Sequence, residues 1–242
     1  MDIDVVLTPL ALSDDALKGR RVVMVDVLRA STTIATALAN GARAIIPATD
    51  TGEAGRLAAT LDPDWSLLGG ERDGKPVAGF GAGNSPAEYG RDAVESKTVV
   101  LTTTNGTRAL AKAKSSAAVA VGGFVNAASA VRFLADGLES EQPGTVLCAG
   151  WRGRVSLEDT LCAGMLVSRL VSATQAAALP DSAKMAYALY QGSRDDIGRA
   201  VRGTEHARRL VELGFEGDLA RCSAVDTLAV LPLLRDGRLT AA

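Results

Sequence analysis

Short apolar segments alternate along this chain with longer alanine-rich segments of helical periodicity. Several short segments are apolar at almost every position, which is typical of strands covered on both faces of a sheet. The predicted strands are Asp4–Leu7, Arg21–Leu28, Ala44–Pro47, Trp65–Leu68, Thr98–Thr103, Ala117–Val121 and Thr145–Ala149. The predicted helices between them are Ser31–Asn40, Thr51–Leu61, Asn105–Lys114 and Ala127–Leu138. This alternation predicts an α/β fold with three α/β/α layers around a largely parallel or mixed sheet.

The last third of the chain has a different pattern. Residues Leu157–Leu213 are mostly helical in pattern, with a turn at Leu179–Asp181, and Thr227–Leu233 is a candidate final strand. We therefore expect a single domain over residues 1–242 with a helical C-terminal elaboration. The polar connection at residues 136–144 is the best candidate for a sub-domain boundary.

Charge and composition narrow the classes of partner. With 26 basic and 28 acidic side chains, a net charge of −2 and only 4% aromatic residues, a nucleic-acid or anionic membrane partner is not expected. The chain has one histidine, His206, which excludes metal centres and phosphoryl-transfer sites that need two or more histidines. The arginine-rich sequence around His206 favours a solvated helix face. Three scattered cysteines, no signal-peptide pattern and no membrane-length apolar run predict a soluble cytoplasmic protein. A homo-oligomer is compatible with the sequence.

Polar residues suited to anions follow almost every predicted strand, where α/β sheets bind their ligands. Late in the second predicted strand, Asp26 lies in an apolar run and therefore needs a partner or a metal, since burying a lone carboxylate is costly. Arg29, Ser31 and Thr32 follow it as the next helix opens and offer N–H groups, hydroxyls and a positive charge to an anion.

Two further segments have similar chemistry. The segment LTTTNGTRAL supplies Thr104, Asn105, Gly106, Thr107 and Arg108, and the arginine could bind a phosphate or carboxylate through two hydrogen bonds. The irregular segment GGERDGKPVAGFGAGNSPAEYG is long for a loop in a compact domain; its length and composition are compatible with a lid or metal-bearing loop and equally with a flexible insertion. Its candidate site residues are Glu71, Arg72, Asn84 and Ser85.

Two more strand-to-helix junctions contain candidate site residues. In GGFVN, Asn126 precedes a helix, where a turn with an asparagine cap is a sufficient explanation. In CAGWRGRVSLEDTLCAG, Arg152 stands near the adjacent carboxylates Glu158 and Asp159, which suit divalent-metal coordination or acid–base chemistry. The spacing from Cys148 to Arg154 also matches that of cysteine-dependent phosphatases, although Leu147 stands where their usual histidine would be.

Taken together in order, five of these blocks make the sequence resemble the 2-phosphosulfolactate phosphatase family. The blocks run from about Val25 to Gly164 and are VDVLRASTT, GGERDGKPVAGFGAGNSPAEY, LTTTNGTRAL, GGFVN and CAGWRGRVSLEDTLCAG. The resemblance implies a Mg²⁺-dependent phosphatase that acts on a small, multiply anionic phosphoester. Its named substrate carries phosphate, carboxylate and sulfonate groups, and the product, sulfolactate, leads in some organisms to coenzyme M.

The residues and the resemblance agree on the chemistry. Asp26, Glu71 and Glu158 are the expected magnesium ligands, with Asp26, Glu158 and Asp159 as catalytic carboxylates. Attack by magnesium-activated water is preferred, while Asp26 as a covalent nucleophile stays open. The substrate-binding candidates are Arg29, Ser31, Thr32, Arg72, Asn84, Ser85, Thr104, Asn105, Gly106, Thr107, Arg108, Asn126 and Arg152.

One departure from the family pattern keeps other functions open. Many family members read GFDxGNSP, whereas this chain reads GFGAGNSP, with Gly81 where an aspartate is usual. A catalytically weakened protein that binds small anions is therefore one alternative. A phosphatase that uses Cys148 as its nucleophile is the other.

Overall fold

The computed structural model of the protein describes residues 2–13, 15–174 and 179–242. The strands are β1 (Ile3–Val6), β2 (Arg21–Val25), β3 (Ala44–Ala48), β4 (Ser66–Arg72), β5 (Lys75–Pro76), β6 (Thr98–Thr102), β7 (Ala118–Gly122), β8 (Gly144–Cys148), β9 (Pro232–Arg235) and β10 (Arg238–Ala241). The helices are α1 (Ala30–Ala39), α2 (Thr51–Ala58), α3 (Arg91–Val94), α4 (Gly106–Lys112), α5 (Ala127–Glu139), α6 (Leu157–Thr174), α7 (Asp181–Gln191), α8 (Ile197–Arg202), α9 (Glu205–Glu212) and α10 (Glu216–Ser223). None of the helices in the described ranges is both long and apolar enough to cross a membrane.

The strands form one mixed sheet with the order β1-β8-β2-β7-β9-β10-β3-β6-β4-β5. The first four strands in this order are mutually parallel, as are β3, β6 and β4. The C-terminal hairpin β9–β10 lies between these two groups and pairs antiparallel with both. The predicted α/β fold with a mixed sheet and a helical C-terminal part is therefore confirmed.

Alternating residues of the central strands face two separate apolar cores. Val22 and Met24 of β2 belong to a cluster with Ile34 of α1 and Leu110 of α4. Val23, on the other face of β2, belongs to a cluster with residues of α5, α6 and α7. The sheet is thus covered by helices on both faces, which explains the nearly continuous apolar sequence of its strands.

The direction of the strands constrains the shape of the sheet. Because β9 and β10 are each antiparallel to both of their neighbours, the β3-β6-β4 group runs opposite to the first group. In a flat sheet, the carboxyl ends of the two groups would lie at opposite edges. The residues that follow β2, β4, β6 and β8 nevertheless line one cavity, so the sheet must twist and curve strongly between the groups.

The structure differs from the sequence prediction at several element boundaries. Strand β2 ends at Val25 because the chain turns at Asp26, whose N–H donates to the Ser31 hydroxyl. Strand β4 is longer than expected and forms a hairpin with β5, and the Thr227–Leu233 strand is replaced by β9–β10. Residues 136–144, the expected boundary, contain the end of α5 and the turn into β8.

Candidate active site

One cavity collects side chains from loops that are far apart in the sequence. The sequence-predicted residues that line it are Asp26, Arg29, Glu71, Asn84, Thr104, Asn105 and Arg152. Trp151 and His206 line it as well and were not predicted as site residues. The junctions after β2, β4, β6 and β8 therefore meet at one place, and α9 adds a side chain from the C-terminal part of the chain.

Asp26 is the carboxylate in this cavity that is least compensated. It follows β2 and is buried. Burial is the main cause that raises the pKa of Asp26 to about 6; the charges of Glu71 and Glu158 also raise it, while the charge of His206 and the Ala30 N–H lower it. The result is a carboxyl group that can gain or lose a proton close to neutral pH, a property that concentrates at functional sites.

Glu71 is held firmly at the end of β4. One carboxylate oxygen accepts the N–H of Thr104 at 2.6 Å, and the other accepts the Gly74 N–H at 2.7 Å and the Thr104 hydroxyl at 3.1 Å. These bonds connect the β4–β5 turn to the loop after β6. Glu71 is therefore a fixed acceptor on the cavity wall, with lone-pair capacity remaining for one further partner.

Asn84 brings an unsatisfied oxygen to the same cavity. Its backbone carbonyl accepts the Thr33 hydroxyl at 2.9 Å, which fixes the loop against α1. Its side-chain Oδ1 is buried and has no hydrogen-bond partner among the described residues. Buried polar atoms are almost always paired, so this unpaired oxygen is a candidate contact for a ligand or ion.

Arg29 lines the cavity, but protein groups already occupy its guanidinium. It pairs with Asp218 of α10 at 3.0 Å, donates to the Gly74 carbonyl at 3.0 Å and stacks over the Phe215 ring. Asp218 also accepts the Ser85 hydroxyl at 2.7 Å. Arg29 and Ser85, both predicted to bind substrate, are thus parts of one buried network that joins the site loops to α10.

The neighbouring carboxylates Glu158 and Asp159 have different environments. Glu158 Oε1 lies 2.9 Å from His206 Nδ1, and the His206 ring stacks on Trp151 with 5.0 Å between ring centroids. Burial raises the pKa of Glu158, but the hydrogen bond and charge of His206 outweigh it, so the net shift is downward.

Asp159 connects the ends of two parallel strands. Its Oδ1 accepts the Val27 N–H at 2.8 Å and its Oδ2 accepts the Gly150 N–H at 3.0 Å. Burial, together with the charges of Asp26 and Glu158, raises the pKa of Asp159 well above its ordinary value. Neither Glu158 nor Asp159 is among the residues that line the cavity.

Several other predicted residues support the site without lining it. Ser31 accepts the Asp26 N–H, and Thr32 is buried at the start of α1. The Thr107 hydroxyl bonds the backbone of Thr103 and so closes the first turn of α4. These contacts stabilise the loops that carry the cavity residues.

Arg72 and Asn126 also have partners within the protein. Arg72 donates to the Thr102 hydroxyl at 2.7 Å. Asn126 accepts the Gly123 N–H and donates to the carbonyls of Val121 and Val230, which anchors the segment before β9. The structure brings neither residue to the cavity wall.

Arg108 lies beside the cavity in an adjoining groove of about 260 Å³. The groove shares Thr104 and Asn105 with the cavity, and Lys112 lies further along it. The Arg108 side chain is exposed, and no ion pair to it occurs among the described residues. It is thus available to a ligand that extends out of the cavity.

The residues behind the two alternative functions are placed away from the cavity. Cys148 is fully buried as the last residue of β8, and burial raises the pKa of its thiol well above the ordinary value. Such a thiol is a poor nucleophile. Gly81 is exposed, and its N–H donates to the Leu68 carbonyl.

Sequence reasoning missed two residues at this site: His206, which lines the cavity, and Asp218, which bonds Arg29 and Ser85. The expectation of a solvated face for His206 is wrong, because its side chain is only 11% exposed. In both cases the helical spacing to a buried apolar residue indicates that the side chain lies on the buried face of its helix. His206 shares a helix face with the buried Leu210 four residues later, and Asp218 shares one with Cys222.

Gly106 allows α4 to approach Asp26, and we expect Gly106→Ala to disrupt this contact. A Cβ at this position would lie 2.7 Å from Asp26 Oδ2 and 2.8 Å from the Ala30 Cβ, so the helix must move. We expect the free energy of unfolding to fall by about 1–3 kcal/mol in urea titrations. The control is Gly55→Ala in α2, where the space is open. It should be neutral or stabilising by about 0.4–1 kcal/mol, and equal effects of the two variants would contradict the expectation.

The raised pKa of Asp26 makes stability depend on pH. Between its ordinary value of 3.8 and about 6, the folded protein binds more protons at Asp26 than the unfolded chain. Stability therefore falls as pH rises through this interval. With EDTA present, Asp26→Asn should be more stable than wild type at pH 7.5 by roughly 2–3 kcal/mol, and the difference should vanish near pH 4.

Urea unfolding at the two pH values measures this difference. The matched control is Asp64→Asn, which changes an exposed aspartate and should leave the pH dependence unaltered. If the difference in stability between Asp26→Asn and wild type is the same at both pH values, the pKa of Asp26 is not raised in the folded protein.

Comparisons with known proteins identify the family of this chain. The family model of 2-phosphosulpholactate phosphatase matches residues 6–237. The chain is 37% identical over 227 residues to a "Probable 2-phosphosulfolactate phosphatase" of Caldanaerobacter subterraneus, which covers 94% of this chain and 92% of the relative. Proteins of the same name from Thermotoga maritima (37% identity, 97% and 96% covered) and a Synechococcus species (42%, 87% and 86%) also match. The chain therefore belongs to the 2-phosphosulfolactate phosphatase family.

Proposed function

We propose that this protein hydrolyses 2-phosphosulfolactate to sulfolactate and inorganic phosphate in a Mg²⁺-dependent reaction. The observation that carries the proposal is the family match over residues 6–237. The cavity supports it chemically, because phosphoryl transfer needs a dense set of charged and hydrogen-bonding groups to offset negative charge on oxygen.

The residues in the cavity fit a magnesium ion. Among the described residues, no three His, Cys, Asp or Glu side chains form a ready-made metal cluster. Magnesium does not need one, since it keeps several waters and takes one or two carboxylates. Asp26 and Glu71 would supply these, and the unpartnered Oδ1 of Asn84 is a third oxygen on the same wall. When bound, the ion would neutralise phosphoryl charge and lower the pKa of a coordinated water.

Glu158 and Asp159 are not magnesium ligands in this proposal. The histidine ring already engages Glu158, and the two oxygens of Asp159 already hold the Val27 and Gly150 amides. We therefore leave Glu158 out of the magnesium site. Asp159 keeps the loops after β2 and β8 in place, so that Asp26 and Arg152 face the same cavity.

The groove next to the cavity suits the rest of the substrate. With the phosphate beside Asp26, the carboxylate and sulfonate groups extend past Thr104 and Asn105 towards Arg108 in the groove. Arg152 lines the cavity itself. Arginine matches carboxylate and sulfonate oxygens through paired N–H donors. The proposal thus separates a reacting end, built on carboxylates, from a recognition end, built on arginines.

The two alternatives lose support on this structure. A cysteine-dependent mechanism would need an accessible thiolate, whereas Cys148 is buried with a raised pKa. A weakened binding protein was suggested by Gly81, which is exposed and lies outside the cavity wall. Neither observation favours a second function.

Phosphate release from racemic 2-phosphosulfolactate should require Mg²⁺. We expect EDTA to abolish turnover and added Mg²⁺ to restore it, and we expect Asp26→Asn to lower kcat by roughly 10³-fold. A phosphate-release assay measures both effects. The exposed variant Asp64→Asn is the control and should retain wild-type kcat. Full turnover in the presence of EDTA would contradict the metal-dependent mechanism.

Arg108→Ala should weaken substrate binding more than catalysis. Because Arg108 lies in the groove and not at the reacting end, we expect KM to rise about 10–100-fold with kcat within about threefold of wild type. The control is Arg91→Ala, which removes an exposed arginine on α3. An unchanged KM in Arg108→Ala would remove this residue from the proposed recognition end.

A further inference from the structure

The proposed function leaves the His206–Glu158 pair without a task. His206 comes from α9, about fifty residues beyond Glu158 in the chain, yet its side chain reaches the cavity wall. Trp151 stacks against the ring at 5.0 Å with 18° between the ring planes. The imidazole is therefore held on one face by an indole and at one nitrogen by a carboxylate.

The hydrogen bond to Glu158 determines which ring nitrogen of His206 remains for another partner. Glu158 is 2% exposed, and the lowered pKa of Glu158 means that the carboxylate is ionised at neutral pH. An ionised carboxylate can only accept hydrogen bonds, so Nδ1 of His206 carries the hydrogen. No hydrogen-bond partner of the opposite nitrogen, Nε2, occurs among the described residues, and the His206 side chain lines the cavity.

The ring also lies close to the reacting end of the site. Of the neighbouring charges that act on Asp26, that of His206 is the strongest. Asp26, Glu71 and His206 line one cavity, so a phosphoester held beside the two carboxylates lies within range of the His206 ring. A carboxylate that orients a histidine, with the second nitrogen facing the substrate, is a general arrangement for proton transfer.

We propose that His206 is a catalytic general acid and that Glu158 is its positioning residue; this rests on the proposed function. With both nitrogens protonated, the ring donates Nδ1–H to Glu158 and Nε2–H to the bridging oxygen of the ester. As the bond between phosphorus and this oxygen breaks and a water oxygen bonds to phosphorus, the Nε2 proton goes to the departing oxygen. The product is a neutral hydroxyl, and a proton from the attacking water restores the histidine.

The nature of the leaving group explains why this acid is needed. The substrate is the ester of an aliphatic hydroxyl, and an alkoxide is too basic to leave readily without a proton. General acid catalysis typically contributes about 10²–10⁴-fold in such a step. An ester with an acidic leaving group, such as 4-nitrophenyl phosphate, gains little from it.

This difference provides the test, which compares two substrates on the magnesium-loaded full chain. We expect His206→Gln to lower kcat about 10²–10³-fold on 2-phosphosulfolactate but less than about tenfold on 4-nitrophenyl phosphate. Glu158→Gln keeps an oxygen acceptor for Nδ1 and should show the same selective loss at about 10-fold or more, with KM little changed. The control is Glu212→Gln on the exposed face of α9, which should match wild type on both esters.

The possible results separate this assignment from the function itself. Equal losses on the two esters in His206→Gln, or no loss on either, would overturn the general-acid role of His206 while the wild type remains a phosphatase. A wild-type protein that hydrolyses neither ester in Mg²⁺ would overturn the proposed function, and the role of His206 with it. Thermal melting of each variant distinguishes a folding defect from the selective loss, because unfolding lowers both activities by the same factor.

Discussion

The burial of four carboxylates at one point constrains the rest of this structure. Asp26, Glu71, Glu158 and Asp159 are each at most 6% exposed, and uncompensated burial of a carboxylate costs several kcal/mol. Backbone N–H groups, a threonine hydroxyl and a histidine ring compensate Glu71, Glu158 and Asp159. Among the described residues, the Ala30 N–H bonds the carboxylate of Asp26, but no side chain does. The fold therefore leaves one carboxylate available and uses the other three to fix its surroundings.

This compensation depends on the curvature of the sheet. Thr104 follows β6 and Glu71 lies near the end of β4, and both strands run opposite to β2, the strand that precedes Asp26. A strongly twisted and curved sheet brings these ends together. The β9–β10 hairpin causes the reversal, since it inserts two antiparallel strands between the two parallel groups. The last residues of the chain thus determine the geometry of a site to which the first hundred residues contribute most side chains.

Local chemistry could be predicted from the sequence, whereas long-range partners could not. Asp26 was predicted from its place in an apolar run before a helix, and Glu71 and Asn84 were predicted from the unusual length and composition of one loop segment. The Arg29–Asp218 pair joins residues 189 positions apart, and no local pattern says that an arginine suited to an anion is already paired. The hairpin was missed for a different reason. Its turn contains an Asp236–Gly237 pair in the left-handed region, a strong hairpin signal that follows an apolar run interpreted as a single strand.

The C-terminal helices contribute side chains to the site and do not only cover the sheet. Helix α9 brings His206 to the cavity, and α10 brings Asp218 to Arg29 and Ser85, which hold the loops that carry Asp26 and Asn84. A buried ion pair of this kind contributes little net stability, but removing one partner leaves an uncompensated charge and typically costs about 3–5 kcal/mol. The Arg29–Asp218 pair is therefore best understood as a constraint on geometry. It fixes two site loops against a helix from the far end of the chain, so the geometry of the cavity depends on a contact between residues 189 positions apart.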